Sequence, residues 1–318
     1  MTHARASGQT AIQVETISKS YGSFTAVQDL SFDVFKGEVF AMLGPNGAGK
    51  STTIRMILDI LKPDTGRIAV LGGPISDVTK DRIGYMPEER GLYRSVKVLE
   101  MMTYLGTLKG MTSADAKRRG MAYLERLELG EYAKKKVSDL SKGMQQKLQF
   151  AITLLHNPEL IIIDEPFSGL DPVNTLIIKQ MLLELRNSGG AVVMSTHQMN
   201  QIEEMADRLL MIERGRLALY GAVDEVRRQY AENAVIVEGE GDWSRLRGID
   251  RVEASENGRK HAKIYLKHGT TPDDVLGQIA ADEALSITRY ELAVPSLNDI
   301  FIHVATDGRP ADRFGGEG

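Results

Sequence analysis

The chain has 318 residues, 42% hydrophobic and 26% charged, with a net charge of -4 and no cysteine. That length suffices for one generous core or two modest ones, and we expect two; missing cysteines remove disulfides, thiol nucleophiles and thiolate metal sites and fit a reducing compartment. The acidic balance argues against an electrostatic nucleic-acid binder, the opening MTHARASGQT lacks a signal-peptide core, and no run approaches the roughly 18 apolar residues of a membrane span, so we expect a soluble chain.

Residues 1–10 read as a disordered N-terminus. The first informative stretch is VFAMLGPNGAGKSTTIRMILDIL, where the apolar run Val39 to Leu43 stops at a glycine-rich loop and Ile54, Ile57, Leu58 and Leu61 then recur at helical spacing before KPDTG. Strand, loop and helix are the setting that the pattern G-x-x-x-x-G-K-[ST] requires, and Gly44-Pro45-Asn46-Gly47-Ala48-Gly49-Lys50-Ser51 matches it, with Thr52 next. Glycines let consecutive NH groups turn onto phosphates, and the helix N-terminus adds its positive end. Lys50 offers a point charge to the terminal phosphates, and Ser51 a hydroxyl to Mg2+. Chance would produce those four specified positions in about one chain per hundred of this length, so an ordinary glycine turn is disfavoured.

IGYMPEERGLY follows at 83–93, and from about 92 to 138 the pattern turns helical and charged, including the lysine run 134–136, a solvated face. LSKGMQQK at 140–147 opens another helix, with Ser141 as its N-cap and Leu148, Ile152 and Leu155 as its apolar positions. LIIIDEP at 160–166 reads as a strand buried on both faces that ends in two carboxylates. Asp164 can hold Mg2+ directly or through water, and Glu165 can take a proton from an attacking water. SGLD at 168–171 places Asp171 as N-cap before Pro172, and a third strand, AVVMST, ends at His197, a donor within reach of a γ-phosphate.

This ordered set, over roughly residues 12–228, resembles the ATP-binding-cassette (ABC) ATPases. The resemblance implies that Ser141 and Gly143 face the ATP of a second subunit, so that two copies sandwich two ATP molecules head to tail and close in an ATP-dependent way. LSKGM departs from the commoner LSGGQ at Lys142 and Met144 while keeping Ser141 and Gly143. Tyr21 is implied to stack on adenine, with Val27 in the same base pocket, and the Asp171 loop to link the two sites. The family usually carries glutamine where this chain has Glu88; a carboxylate there should bind the metal more strongly or stay away until closure. PEERGLY resembles an exporter subgroup that includes sodium-extruding and antibiotic-resistance members. In that setting the segment 92–138 is a helical subdomain whose groove receives a helix of a membrane subunit, with Leu92, Tyr93 and Met101 as candidates.

After about residue 230 the character shifts. VIV, a polar helical stretch around Trp243, RVEAS, AKIYLK, TPDDVLGQIAADEA and SITRYELA read as β-α-β-β-α-β, the ferredoxin-like order. Ala262, Ile264 and Leu266 share one face, and a closing helix with Leu297, Ile300, Phe301 and Val304 along a stripe is expected on that sheet. Residues 232–305 hold 8 Lys and Arg against 13 Asp and Glu and lack stacking aromatics on AKIYLK, which excludes an RNA-binding module. Residues 306–318 read as a disordered tail.

The expectation is an α/β chain: a P-loop ABC ATPase domain over 11–230, with its helical subdomain, then a small α+β ferredoxin-like domain over 231–305. Its implied role is to bind and hydrolyse ATP with Mg2+ as a homodimer on separate integral membrane permease subunits, at the cytoplasmic face of the membrane, powering an exporter without nucleic acid as partner. The rival is a soluble ABC-type switch acting on ribosomes or DNA. Such proteins carry two cassettes or a long coiled coil, and this sequence has neither a second phosphate loop nor a heptad run.

Overall fold

The computed structural model describes residues 9–89, 91–254 and 261–306. The expected disordered segments fall largely outside these residues, except that Thr10 already belongs to the first strand and pairs with Phe35. The chain forms two compact units, divided between Val223 and Asp224.

The first unit begins with β1 (Thr10–Tyr21), β2 (Phe24–Phe35) and β3 (Val39–Leu43), and continues through α1 (Lys50–Ile57), β4 (Thr65–Val70), α2 (Asp77–Asp81) and β5 (Ile83–Met86). Next come α3 (Val98–Leu108), α4 (Ser113–Arg126) and α5 (Lys142–Leu154), with two 3-10 turns at Gly130–Tyr132 and Val137–Asp139. The unit closes with β6 (Leu160–Asp164), α6 (Pro172–Asn187), β7 (Ala191–Ser195), α7 (Met199–Met205), β8 (Arg208–Glu213) and β9 (Arg216–Ala222).

Two sheets result. One is antiparallel, in the order β2-β1-β4; the other runs β5-β6-β7-β3-β8-β9 and is parallel except for the β8-β9 pair. Every residue of β3, β6 and β7 is buried, as expected of central parallel strands covered on both faces. The core between the sheets joins Val14, Ile17, Leu30 and Phe32 to Phe40, Met42, Ile162 and Val193, with α1 contributing Ile54 and Ile57. Phe32 and Phe40 stack at 5.6 Å. Parallel neighbours bring the C-terminal ends of β6, β7 and β3 side by side, where ligands sit in open α/β sheets.

Met101 is fully buried within the helical segment, so it is core and not a groove residue, whereas Tyr93 and the lysines 134–136 are exposed. Leu92 is half-buried and, like Tyr93, precedes α3, so only Met101 of the three candidates lies on a helix.

The second unit contains almost all of α8 (Val223–Gln229), then β10 (Ala234–Glu240), a 3-10 turn at Trp243–Arg245, β11 (Ile249–Ala254), β12 (His261–Leu266), α9 (Pro272–Ala281), β13 (Ser286–Leu292) and α10 (Leu297–Ala305). Its sheet is antiparallel in the order β11-β12-β10-β13, the ferredoxin-like arrangement, with a single 3-10 turn in place of the first helix. Val235, Val237, Ala262, Ile264 and Leu266 form the core with Trp243, Leu246, Val275 and Ile279. α10 is not part of that core. Leu297 and Ile300 are buried, but the helix contacts the α8 end: His303 meets the Tyr230 ring at 5.8 Å, and Arg227 donates to the Pro295 carbonyl at 3.1 Å.

Candidate active site

The loop between β3 and α1 is shaped by glycines that no other residue can replace. Gly44 has φ 144°, and a Cβ there would collide with the Ile212 carbonyl; Gly49, with φ 111°, caps α1 and would place a Cβ 2.6 Å from the Ala26 carbonyl. No acidic residue occupies the first turn of α1, so its positive end stays uncompensated. Lys50 folds back over the loop, its ammonium donating to the carbonyls of Gly44 at 2.6 Å and Pro45 at 3.1 Å. Burial lowers the Lys50 pKa, against the attraction of Asp164, Glu165 and Glu88.

A cavity of about 350 Å³ opens over this loop. Asn46 to Thr52 form one wall; Glu88, Asp164, Glu165, Ser195 and His197 form another; Tyr21, Phe24 and Ala26 complete it. Residues far apart in sequence thus meet here because their strands are neighbours. Gly44 and Pro45 do not line it, and their carbonyls accept from Lys50.

Val27, expected at the base pocket, does not line the cavity. It is fully buried behind Gly49, because successive residues of a strand point to opposite faces. Its neighbour Ala26 faces the cavity together with Phe24, which is 61% exposed; Tyr21 is 49% exposed. The alternation of KSYGSFTAV carried that signal.

Glu165 is buried and has φ 53°, a left-handed conformation uncommon outside glycine. Its carboxylate accepts from the Thr196 hydroxyl at 3.1 Å and the His197 backbone NH at 3.0 Å, and lies 2.7 Å from His197 Nδ1. The imidazole itself is largely exposed on the cavity side. Asp164 is buried, which raises its carboxyl pKa above the ordinary carboxylate range; the Ser195 hydroxyl opposes that shift, Glu165 reinforces it, and Lys50 opposes it.

Among the described residues, no three His, Asp or Glu side chains gather closely enough to hold a metal by themselves. The hard oxygens on this cavity include the Ser51 hydroxyl and the carboxylates of Asp164 and Glu88. That set fits Mg2+, which is held by one or two carboxylates together with the oxygens of a bound phosphate.

Ser141 and Gly143 do not line this cavity. Ser141 caps α5 by accepting from Met144 NH at 3.3 Å, and Gly143 packs on the 168–171 loop, where a Cβ would lie 3.1 Å from the Gly169 carbonyl. Asp171 caps α6, accepting from Asn174 NH at 2.9 Å, and Lys147 reaches the Asn174 side chain at 2.9 Å. The two turns therefore form one surface of the same unit, apart from the phosphate loop.

Residues 27–168 match the family model described as ABC transporter, and residues 221–305 match the C-terminal domain model of DrrA1-3-like ATP-binding proteins. The chain is 36% identical to the ABC transporter ATP-binding protein YhaQ of Bacillus subtilis, over 92% of this chain and 97% of that one. It is 37% identical to the linearmycin resistance ATP-binding protein LnrL of the same organism, over 71% and 73%. Among solved structures, it resembles the dimeric post-hydrolysis state of the ATP-binding cassette MJ0796 bound to ADP and Pi, with 25% identity, a TM-score of 0.61, and coverage of 67% of this chain and 98% of that one.

Proposed function

The chain belongs to the ABC transporter ATP-binding family, a nucleotide-binding ATPase family, and from that premise we propose that it powers an exporter by clamping ATP between two copies of itself on separate membrane permease subunits. The observation that carries this reading is a division of labour: the phosphate loop, Asp164, Glu165, Glu88 and His197 share one cavity, while Ser141 and Gly143 are held on a different surface. A helix N-terminus with a serine hydroxyl and a glycine amide suits a phosphate that its own chain does not deliver.

In this reading Lys50 and the amides of the loop hold the β- and γ-phosphates, Tyr21 stacks on the base, and Thr52, on the cavity wall, contacts the nucleotide from the first turn of α1. Mg2+ held by Ser51, Asp164 and Glu88 would neutralise developing phosphate charge. Glu165 takes a proton from a water as its oxygen attacks phosphorus in line; the bond to the β-γ bridging oxygen breaks, and ADP and phosphate leave. His197 steadies the γ-phosphate and orients the Glu165 carboxylate. Ser141, Gly143 and the Asp171 loop of the second copy close over the nucleotide.

Export as the direction is supported by LnrL, whose name records resistance, and by a Nod factor export ATP-binding protein of Paraburkholderia xenovorans, 39% identical over 67% of this chain. No helix among the described residues is long and apolar enough to cross a membrane, so a membrane-spanning partner would supply the path. The test is reconstitution. Co-expression with a polytopic membrane protein encoded beside this chain should recover a complex whose ATPase activity depends on both; ATP hydrolysis indifferent to any such partner would remove the exporter assignment.

A further inference from the structure

α5 carries two glutamines on its buried side. Gln149, 7% exposed, donates from its amide nitrogen to the Pro87 carbonyl at 2.9 Å, the residue directly before Glu88. Gln146, 4% exposed, donates to the carbonyls of Glu165 at 3.1 Å and Pro166 at 3.4 Å. Gln149 Oε1 is buried and lacks a hydrogen-bond partner among the described residues. A buried, half-satisfied amide is unfavourable, and a methionine would fill the same volume without that cost. Packing alone therefore does not explain glutamine at 149; the contact with Pro87 does.

We propose that α5 is a brace, with Gln149 and Gln146 as positioning residues for the two loops that carry the cavity carboxylates. Gln149 fixes the backbone one residue before Glu88 and so the place of its carboxylate. Gln146 holds the Glu165–Pro166 segment, where the left-handed Glu165 backbone, φ 53°, persists only under such restraint. The inference rests on the reading of the cavity given above, in which Glu88 faces the metal and Glu165 the water.

The experiment compares Gln149→Met, Gln149→His and Gln146→Met with the native chain, and Glu88→Gln as a control. Hydrogen exchange over residues 85–89, without nucleotide or metal, should be about fivefold faster in Gln149→Met, the scale of one lost side-chain hydrogen bond. The Mg2+ concentration giving half-maximal ATPase should rise about as much, with metal-free binding of a fluorescent ATP analogue unchanged. Gln149→His keeps a donor and should follow the native profile. Gln146→Met should lower turnover and leave the Mg2+ requirement alone.

A lowered melting temperature in Gln149→Met, with native exchange at 85–89 and a native Mg2+ requirement, would overturn the brace. So would a histidine variant indistinguishable from the methionine one, and should Gln149→Met fail to fold, fast exchange in Gln149→His overturns the brace equally. If Glu88→Gln alone shifts the Mg2+ requirement, the brace fails and the cavity reading stands; if neither it nor Gln149→Met does, both fall.

Discussion

At the scale of single residues, the cavity separates holding from cleaving. Lys50 touches the loop that cradles phosphate, so Lys50→Ala should weaken nucleotide binding itself, by about tenfold or more in a fluorescence titration, since a charge-assisted contact is lost. Glu165→Gln removes the proton acceptor and keeps the shape; hydrolysis should fall by about 10²–10⁴-fold with ATP binding retained, and the ATP-bound dimer should persist on size-exclusion chromatography. Normal turnover would take Glu165 out of the role. These side chains were legible because each ends a recognisable apolar strand or loop. Val27 was misplaced because the resemblance gave a neighbourhood, while the strand's two-residue alternation decided that Ala26 and Phe24 face the cavity. Gln146 and Gln149 were invisible as partners of the loops, since their hydrogen bonds go to backbone carbonyls that carry no residue signature.

At the scale of elements, β6 is tied to its neighbours at its entrance as well as at its catalytic end. Glu159 pairs with Arg82 at 2.6 Å and Lys36 at 2.9 Å, joining the starts of β5, β6 and β3. Those hydrogen bonds, Arg82 first and Lys36 second, lower the Glu159 pKa from 4.5 to about 2. A depressed carboxyl pKa stabilises the fold above the unfolded value and loses that contribution as pH falls through the folded one. Glu159→Gln should therefore cost about 0.5–1 kcal/mol in urea denaturation at neutral pH, the solvent-screened range for a half-exposed pair. The difference from the native chain should vanish between pH 4.5 and about 2. At the other end of the unit, Ser141→Ala with Gly143→Asp should abolish ATP-dependent dimerisation while each monomer still binds ATP, measured by light scattering. The caps at Ser141 and Asp171 could be read from sequence because an N-cap is a local event. The end of α1 could not: the apolar spacing continued to Leu61, yet the helix stops at Ile57 and Asp59 turns left-handed, φ 59°.

At the scale of the whole molecule, two units with separate cores predict that the chain can be shortened. Residues 1–231 should fold and bind nucleotide, because the core of the second unit is drawn from residues beyond that point. Loss of 232–318 should alter ATP-dependent dimerisation or turnover; unchanged values for both would leave the second unit without a part in the cycle. The order of its strands was legible from alternation and turns, whereas the first crossover and the place of α10 were not. A polar stretch around Trp243 has the composition of a short helix or a single turn, and an apolar stripe says that a helix is covered without saying by what.

The Lys50 ammonium is occupied in this structure by two carbonyl oxygens of its own loop. Entry of a ligand is thus an exchange of neutral dipoles for charged oxygens, and only a guest that attracts the ammonium more strongly than both dipoles displaces them. A triphosphate does so with several negative oxygens at once. The charge of the guest thus matters at Lys50 independently of any contact with its base.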